Sequence, residues 1–312
     1  MDMSFSCYYQ LPSVKQHLPE RHGRMLTQFD LLVLLKRVNI KVIRSTLHRQ
    51  RLKYSLSSLA FYVECILQHN HAQKTFKALY KRLYSSGKLT IHYSAFMSNI
   101  QTVAPLMRLL FQQYNTEHLI HASSLWNAVD STLIEEKQEA FINQKDWDAG
   151  RVTTRGKGTS KHHICGSKGL CFINRQHLVY CAEFLTINTS DHNILKSSCH
   201  FNAQLKGFML ADRGFSNKRV RQRLACDKND IWQADYIRCR LISPYVKTSK
   251  QQLSDKEKQI YKKRWSIETL FQKVKDVYSQ TPLQLHGRYT SMLKQAKFFA
   301  TWLYHNDTIL AV

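Results

Sequence analysis

Apolar residues recur at helical spacing through the first third of the chain and in short strand-like runs after it. Beyond Thr27, Leu31, Leu32, Leu34, Leu35 and Val38 mark one side of a helix that Thr27 or Asp30 can cap. The same periodicity predicts helices over about 40–50, 56–69, 73–85 and 97–114, with Ser85-Ser86-Gly87 as the clearest break. Residues 1–24, polar and carrying Pro12, Pro19 and Gly23, read as an irregular arm. Around Ser123 the period changes. Leu125, Ala128 and Val129 lead into Asp130 as a strand, and the polar stretch from Asp146 to Lys168, without apolar periodicity, reads as an exposed loop. Strands follow at Leu170–Asn174 and Val179–Ile187, joined by a hairpin connection at Arg175 to Leu178, and again at Gly207–Ala211 and Ile237–Ile242. Between them a short helix is predicted over 193–199 and a very basic one over 217–227. Ser254 and Glu257 can cap a long helix, and a last helix runs over about 289–304. Strands alternating with helices after an all-helical segment predict an α/β fold, a mixed sheet flanked by helices. The natural division is 1–118, helical, and 119–312, mixed.

Charge adds a partner to this picture. Lys and Arg number 46 against 22 Asp and Glu, a formal net charge of +24. Residues 1–120 hold 16 basic and 5 acidic side chains, leaving 30 and 17 for the rest, so the excess is spread over the chain and is not a tail. A positive field over a folded, apolar-rich protein favours a polyanion, of which nucleic acid is the usual one. On Lys74 to Tyr84, Lys74, Lys77 and Lys81 share one side and Phe76, Leu79, Tyr80 and Leu83 another, which suits either a helix on a phosphate backbone or a solvated basic face. Eight cysteines with no CxxC pair, in a chain too large to need disulfide staples, read as reduced thiols. No secretory signal pattern and no apolar run of about 20 residues is seen, so the expectation is a cytoplasmic protein.

The stretch Tyr261 to Lys275, YKKRWSIETLFQKVK, carries more polar residues than a buried amphipathic helix requires. Tyr261, Arg264, Glu268 and Lys275 are separated by two, three and six residues. At ~100° per residue they fall within an arc of roughly 60° on one face. Ile267, Leu270, Phe271, Val274 and Tyr278 form an apolar stripe more than a quarter-turn away. Such a helix anchors itself on one side and presents a carboxylate, flanked by two cations and a phenol, on another.

Two aspartates stand at the carboxyl ends of short apolar runs, Asp130 in LWNAVD and Asp212 in FMLAD, and such ends are the usual place for a site in open α/β sheets. Each also fits a local role, Asp130 as a turn residue or helix cap and Asp212 in a tight turn. With Glu268 they make an Asp, Asp, Glu set with 81 and 55 residues between successive members. Hard oxygen ligands of this kind suit Mg²⁺, and a pair of such ions can serve an in-line displacement at phosphorus.

VDST around Asp130, LADRGF around Asp212 and YKKRWSIETLF through Lys275 together resemble the DDE transposases of bacterial insertion sequences, the group with a Tyr-Arg-Glu-Lys signature. The resemblance covers about residues 120–305. It implies an RNase H-like catalytic domain over 119–312 with Asp130, Asp212 and Glu268 as the metal-binding triad, using Mg²⁺ or Mn²⁺, behind a DNA-binding helical region over 1–118. It also implies that Tyr261, Arg264 and Lys275 contact the phosphates of the transposon end. The reaction implied is metal-dependent cleavage of transposon ends and strand transfer into target DNA, by a homodimer on double-stranded DNA in the bacterial cytoplasm at the nucleoid. The alternatives are a nuclease of the same fold that cuts without joining and a catalytically inert DNA-binding protein.

Lys168, Arg213, Lys218, Arg219, Arg221 and Arg223 form the densest basic cluster near these acids and are expected to contact the DNA backbone. Phe215 and Trp265 read as core residues beside the site, with stacking of these two and Trp232 on an unstacked terminal base as the alternative, and the role of Trp232 is open. His162, His163 and Cys165, with Cys199 and His200 downstream, match no closed structural zinc spacing.

Overall fold

The computed structural model describes residues 26–48, 54–71, 75–123, 125–136, 150–155, 161–191, 206–215, 238–245, 252–280 and 288–311. The first part is helical throughout: α1 (Gln28–Arg37), α2 (Ile40–Thr46), α3 (Leu56–His71), α4 (Phe76–Ser85), α5 (Tyr93–Val103) and α6 (Leu106–Glu117). Thr27 and Asp30 share the first cap, each accepting from the other's backbone N–H in a capping box. The single helix expected over 97–114 is two helices. Pro105 has no N–H to continue the ladder, so α5 ends at Val103 and α6 restarts after it.

Six strands follow: β1 (Trp126–Glu136), β2 (Gly150–Arg155), β3 (Lys161–Asn174), β4 (Val179–Thr186), β5 (Lys206–Ala211) and β6 (Arg238–Ile242). They form one mixed sheet in the order β2-β3-β1-β5-β6. β3 is antiparallel to β1 along one edge; along the other, its first half pairs with β2 and its second half with β4. β5 and β6 run parallel to β1. An antiparallel meander continued by parallel strands, with helices against it, is an RNase H-like arrangement.

The strands extend beyond the limits that periodicity predicts. β1 runs six residues past Asp130, because Ser131 to Glu136 pair with Cys165 to Leu170 of β3. The polar stretch from 146 to 168 is not a loop where it is described, since 150–155 and 161–166 are a strand pair. A pair held by its ladder of backbone hydrogen bonds needs no apolar alternation, which is why periodicity missed it. Between β3 and β4 the hairpin connection stands as expected. Asn174 Oδ1 accepts from the backbone of Gln176 and Leu178, and His177 adopts φ 64°. The predicted helices over 193–199 and 217–227 lie outside the described residues.

α7 (Asp255–Tyr261), a 3-10 turn (Lys262–Arg264), α8 (Trp265–Gln280) and α9 (Arg288–Leu310) complete the chain. α9 joins the two halves. Its Asn306 accepts from Val179 N–H of β4 and donates to Asn115 of α6, which itself donates to the carbonyls of Val179 and Tyr180. Tyr114 donates to Asp307, and Asn70 of α3 to Thr301. Gly169 of β3 leaves room for Phe298 of α9, whose ring atom Cζ would lie 3.0 Å from a Cβ placed there. The boundary expected at 118/119 falls between α6 and β1, and one apolar core runs across it, from Leu31 and Phe96 through Trp302 to Ala128 and Leu210.

Candidate active site

Alternation along β1 puts Trp126, Ala128 and Asp130 on the sheet face that meets the C-terminal helices. The parallel register pairs Val129 with Ala211. Asp212 is the next residue after the end of β5, and its charge reaches the Asp130 carboxyl. The backbone of Asp212 is held there, its carbonyl accepting from Ser243 Oγ at 2.9 Å and from Phe215 N–H at 3.1 Å.

The long helical run lies over this face. Ser254 caps α7 in a box with Glu257, as its spacing predicts. The run tightens to a 3-10 turn at Lys262–Arg264 and resumes as α8. Ile267, Leu270 and Phe271 are buried, so this part of the apolar stripe fixes α8 as expected. Glu268, one residue on from Ile267, is left exposed.

Arg264 ties the acids together. Its Nη1 donates to Asp130 Oδ2 and its Nη2 to Glu268 Oε1. The guanidinium and the Asp130 carboxylate are 14% and 15% exposed and Glu268 is 42% exposed. The guanidinium carbon also lies 5.7 Å from the centre of the Tyr261 ring. Burial pushes the Asp130 carboxyl up to about 6; Arg264 and the Ser131 N–H oppose this, and the charges of Asp212 and Glu268 add to it. Burial likewise raises the Tyr261 phenol, with Arg264 opposing and Asp212 and Asp130 adding. Desolvation works against the Arg264 cation, yet Asp130, Tyr261, Glu268 and Asp212 hold its pKa above the ordinary value. These five side chains therefore share one electrostatic site.

A second network braces the acids from behind. Ser131 Oγ donates to Asp191 Oδ1 at 2.9 Å. Lys168 Nζ donates to the same oxygen at 2.9 Å and to the Thr189 carbonyl at 2.6 Å. A Cβ on Gly214 would stand 2.9 Å from Asp191 Oδ2, so the turn after Asp212 needs glycine to pack this close. The sequence does not single out Asp191, whose partners here come from other segments. Lys168, expected to reach DNA, is 8% exposed and directs its ammonium into this network.

Arg213 is exposed in a 3-10 turn (Arg213–Phe215), and Lys275 lies on α8. Lys218, Arg219, Arg221, Arg223, Trp232, Cys199 and His200 lie outside the described residues. Phe215 is core, as expected, but Trp265 is 70% exposed at the start of α8. Its neighbours Arg264 and Ile267 take the inward directions, which leaves position 265 facing solvent.

A family model described as Transposase DDE domain matches residues 126–291. The chain belongs to the transposase DDE domain family. No curated protein and no solved structure matches it. In this transposase the matched stretch opens on the first residue of β1, closes within α9 and contains Asp130, Asp212 and Glu268. No helix among the described residues is long and apolar enough to cross a membrane.

Among the described residues no three His, Cys, Asp or Glu side chains stand in an arrangement that holds a metal ion. The donor chemistry nevertheless suits a hard divalent cation. Asp130 and Glu268 already converge on one cation, the guanidinium of Arg264, and Asp212 stands beside them with only oxygen donors in the set. A carboxyl that burial raises, with its acidic neighbours adding to the rise, is a group whose charge a metal would relieve.

Proposed function

We propose that Asp130, Asp212 and Glu268 are the catalytic carboxylates of this transposase and the ligands of its Mg²⁺, with Mn²⁺ able to replace it. The observation that carries the reading is the sharing of the Arg264 fork between Asp130 and Glu268, next to Asp212. The bound metal would neutralise phosphate charge and make water more acidic. Hydrolysis at a transposon end adds a water oxygen to phosphorus and releases the 3′-oxygen, which takes up a proton and leaves as a hydroxyl. In strand transfer that 3′-hydroxyl attacks a target phosphorus in turn, displacing a second 3′-oxygen.

The chain's residues hold these phosphates. Arg264 spends one N–H on each carboxylate, and a guanidinium has five, so donors remain for a phosphate oxygen. Tyr261, a neutral phenol whose pKa burial raises further, is a second donor. Lys275, Arg213, Lys218, Arg219, Arg221 and Arg223 add cations along the backbone path. Lys168 serves the site by fixing Asp191 and, through Ser131, the strand that carries Asp130. Residues 1–118 recognise the element ends, with the exposed Lys77, Lys81 and Arg82 of α4 towards DNA. Two ends need two sites, so the working form is a homodimer on double-stranded DNA. The element is a bacterial insertion sequence carrying the Tyr-Arg-Glu-Lys signature at Tyr261, Arg264, Glu268 and Lys275.

The test incubates purified protein with labelled DNA carrying the inverted repeats that flank its reading frame, with Mg²⁺. Nicks at the element boundary and joined products are expected from the wild type and from none of Asp130→Ala, Asp212→Ala or Glu268→Ala. Cleavage that persists in those variants would overturn the assignment, and cleavage without joined products would make the protein a nuclease.

A further inference from the structure

Beside the acidic site, on the same sheet face, lies a groove of about 510 Å³ lined by Leu125, Trp126, Arg175, His177, Phe208 and Ile260, with Lys263 at its rim. We infer that it binds one unpaired nucleotide of a DNA strand, the base on Trp126 and Phe208 and the flanking phosphates on Arg175 and Lys263. The inference rests on the transposase reading above and adds to it a strand subsite.

Position comes first. Trp126 and Phe208 are register partners at the starts of β1 and β5, so their rings leave the sheet side by side. Both are half-buried, which gives a fixed aromatic floor. Trp126 is held edge-on by the His177 ring, with centroids 6.1 Å apart and an interplanar angle of 85°. Ile260 and Lys263 come from the helical run that carries Arg264 and Glu268 further along. Trp126 and Asp130 are four residues apart on one face of one strand, about 13 Å at ~3.3 Å per residue. That equals about four steps of a B-form strand at ~3.4 Å each, so a strand engaged at the acids passes the groove.

Charge and shape select the occupant. Arg175, His177 and Lys263 are exposed, and no carboxylate is among the described residues that line the groove. An acidic, planar ligand fits such a rim and floor, and a strand of DNA supplies both parts: stacking on an aromatic platform tolerates any base, and phosphates meet the cations. The volume falls within the ~300–1,000 Å³ of small-ligand sites and suits a single nucleotide better than a duplex.

The test measures fluorescence anisotropy of a labelled oligothymidylate of about 12 nucleotides, and of a blunt duplex, with the full chain in chelator. Trp126→Leu is expected to weaken oligothymidylate binding about tenfold with its salt dependence unchanged, while Trp126→Phe retains most of the affinity. Arg175→Ala with Lys263→Ala, both on exposed side chains, is expected to lower the slope of log K against log salt by about 1.4, two contacts at ~0.7 each. Duplex affinity is expected to change less than twofold in Trp126→Leu. An equal loss on the duplex, or none on the oligothymidylate, overturns the stacking claim. An unchanged salt slope in the double variant overturns the phosphate claim. Failure of the transposase reading looks different: the wild type then cleaves no element ends with Mg²⁺, whatever the groove variants do.

Discussion

Replacing Asp130 by Asn should stabilise the metal-free protein at neutral pH. The Asp130 carboxyl is 15% exposed and sits beside Asp212 and Glu268; burial and those acids push it up to about 6, above its ordinary 3.8, even with Arg264 bonded to it. Two pKa units correspond to about 3 kcal/mol, at ~1.36 kcal/mol per unit. In the folded protein the carboxyl keeps its proton until about pH 6, whereas in the unfolded chain it loses it near 3.8. Between these values the folded state binds more protons. Stability is therefore fully present below about pH 4 and falls by up to ~3 kcal/mol as pH rises through 6, then levels. Asparagine resembles the protonated carboxyl at every pH, so Asp130→Asn should lack this fall. Urea unfolding in chelator at pH 4, 5, 6 and 7 gives both curves. The variant should match the wild type near pH 4 and exceed it by about 3 kcal/mol at pH 7. A variant less stable than the wild type by more than about 1 kcal/mol at pH 7 would refute the reasoning. The Asp130–Arg264 pair would then more than offset the burial of its charge and would be a structural ion pair.

Two further changes test the scaffold. Gly169→Ala places a Cβ against the fully buried Phe298, so it should cost about 1–3 kcal/mol in urea unfolding, with Phe298→Leu in the same chain recovering part of the loss. Lys297 is 1% exposed and burial lowers its ammonium to about 7 from 10.5. The unfolded chain binds more protons between these values, so wild-type stability should rise with pH across that window, by an amount on the order of a few kcal/mol, and Lys297→Met should abolish the rise.

The helical run that carries Arg264 and Glu268 was legible because its pattern is carried by spacing. The capping residues Thr27 and Ser254 and the buried Ile267, Leu270 and Phe271 all follow from local patterns. The i, i+4 relation of Arg264 and Glu268 was implicit in the helix period. The hydrogen bond from Arg264 to Asp130 spans 134 residues and depends on how α8 seats on β1, which no local pattern encodes. Asp191 was hidden for the same reason, since its partners Ser131, Lys168 and Gly214 come from distant segments. The strand pair at 150–155 and 161–166 escaped because backbone pairing, not an apolar face, defines it. Trp265 was misjudged because residue type suggested burial, while its place between Arg264 and Ile267 turned it outward.

The most direct test of the central claim is calorimetric titration of Mn²⁺ into the full chain at pH 7, for the wild type and for Asp130→Asn, Asp212→Asn and Glu268→Gln. If the three carboxylates hold one metal centre, the wild type binds and each single variant loses affinity by at least about tenfold, the ~1.4 kcal/mol that one weakened ligand should cost. Wild-type binding that survives unchanged in any one of the variants would remove that residue from the centre and contradict the account.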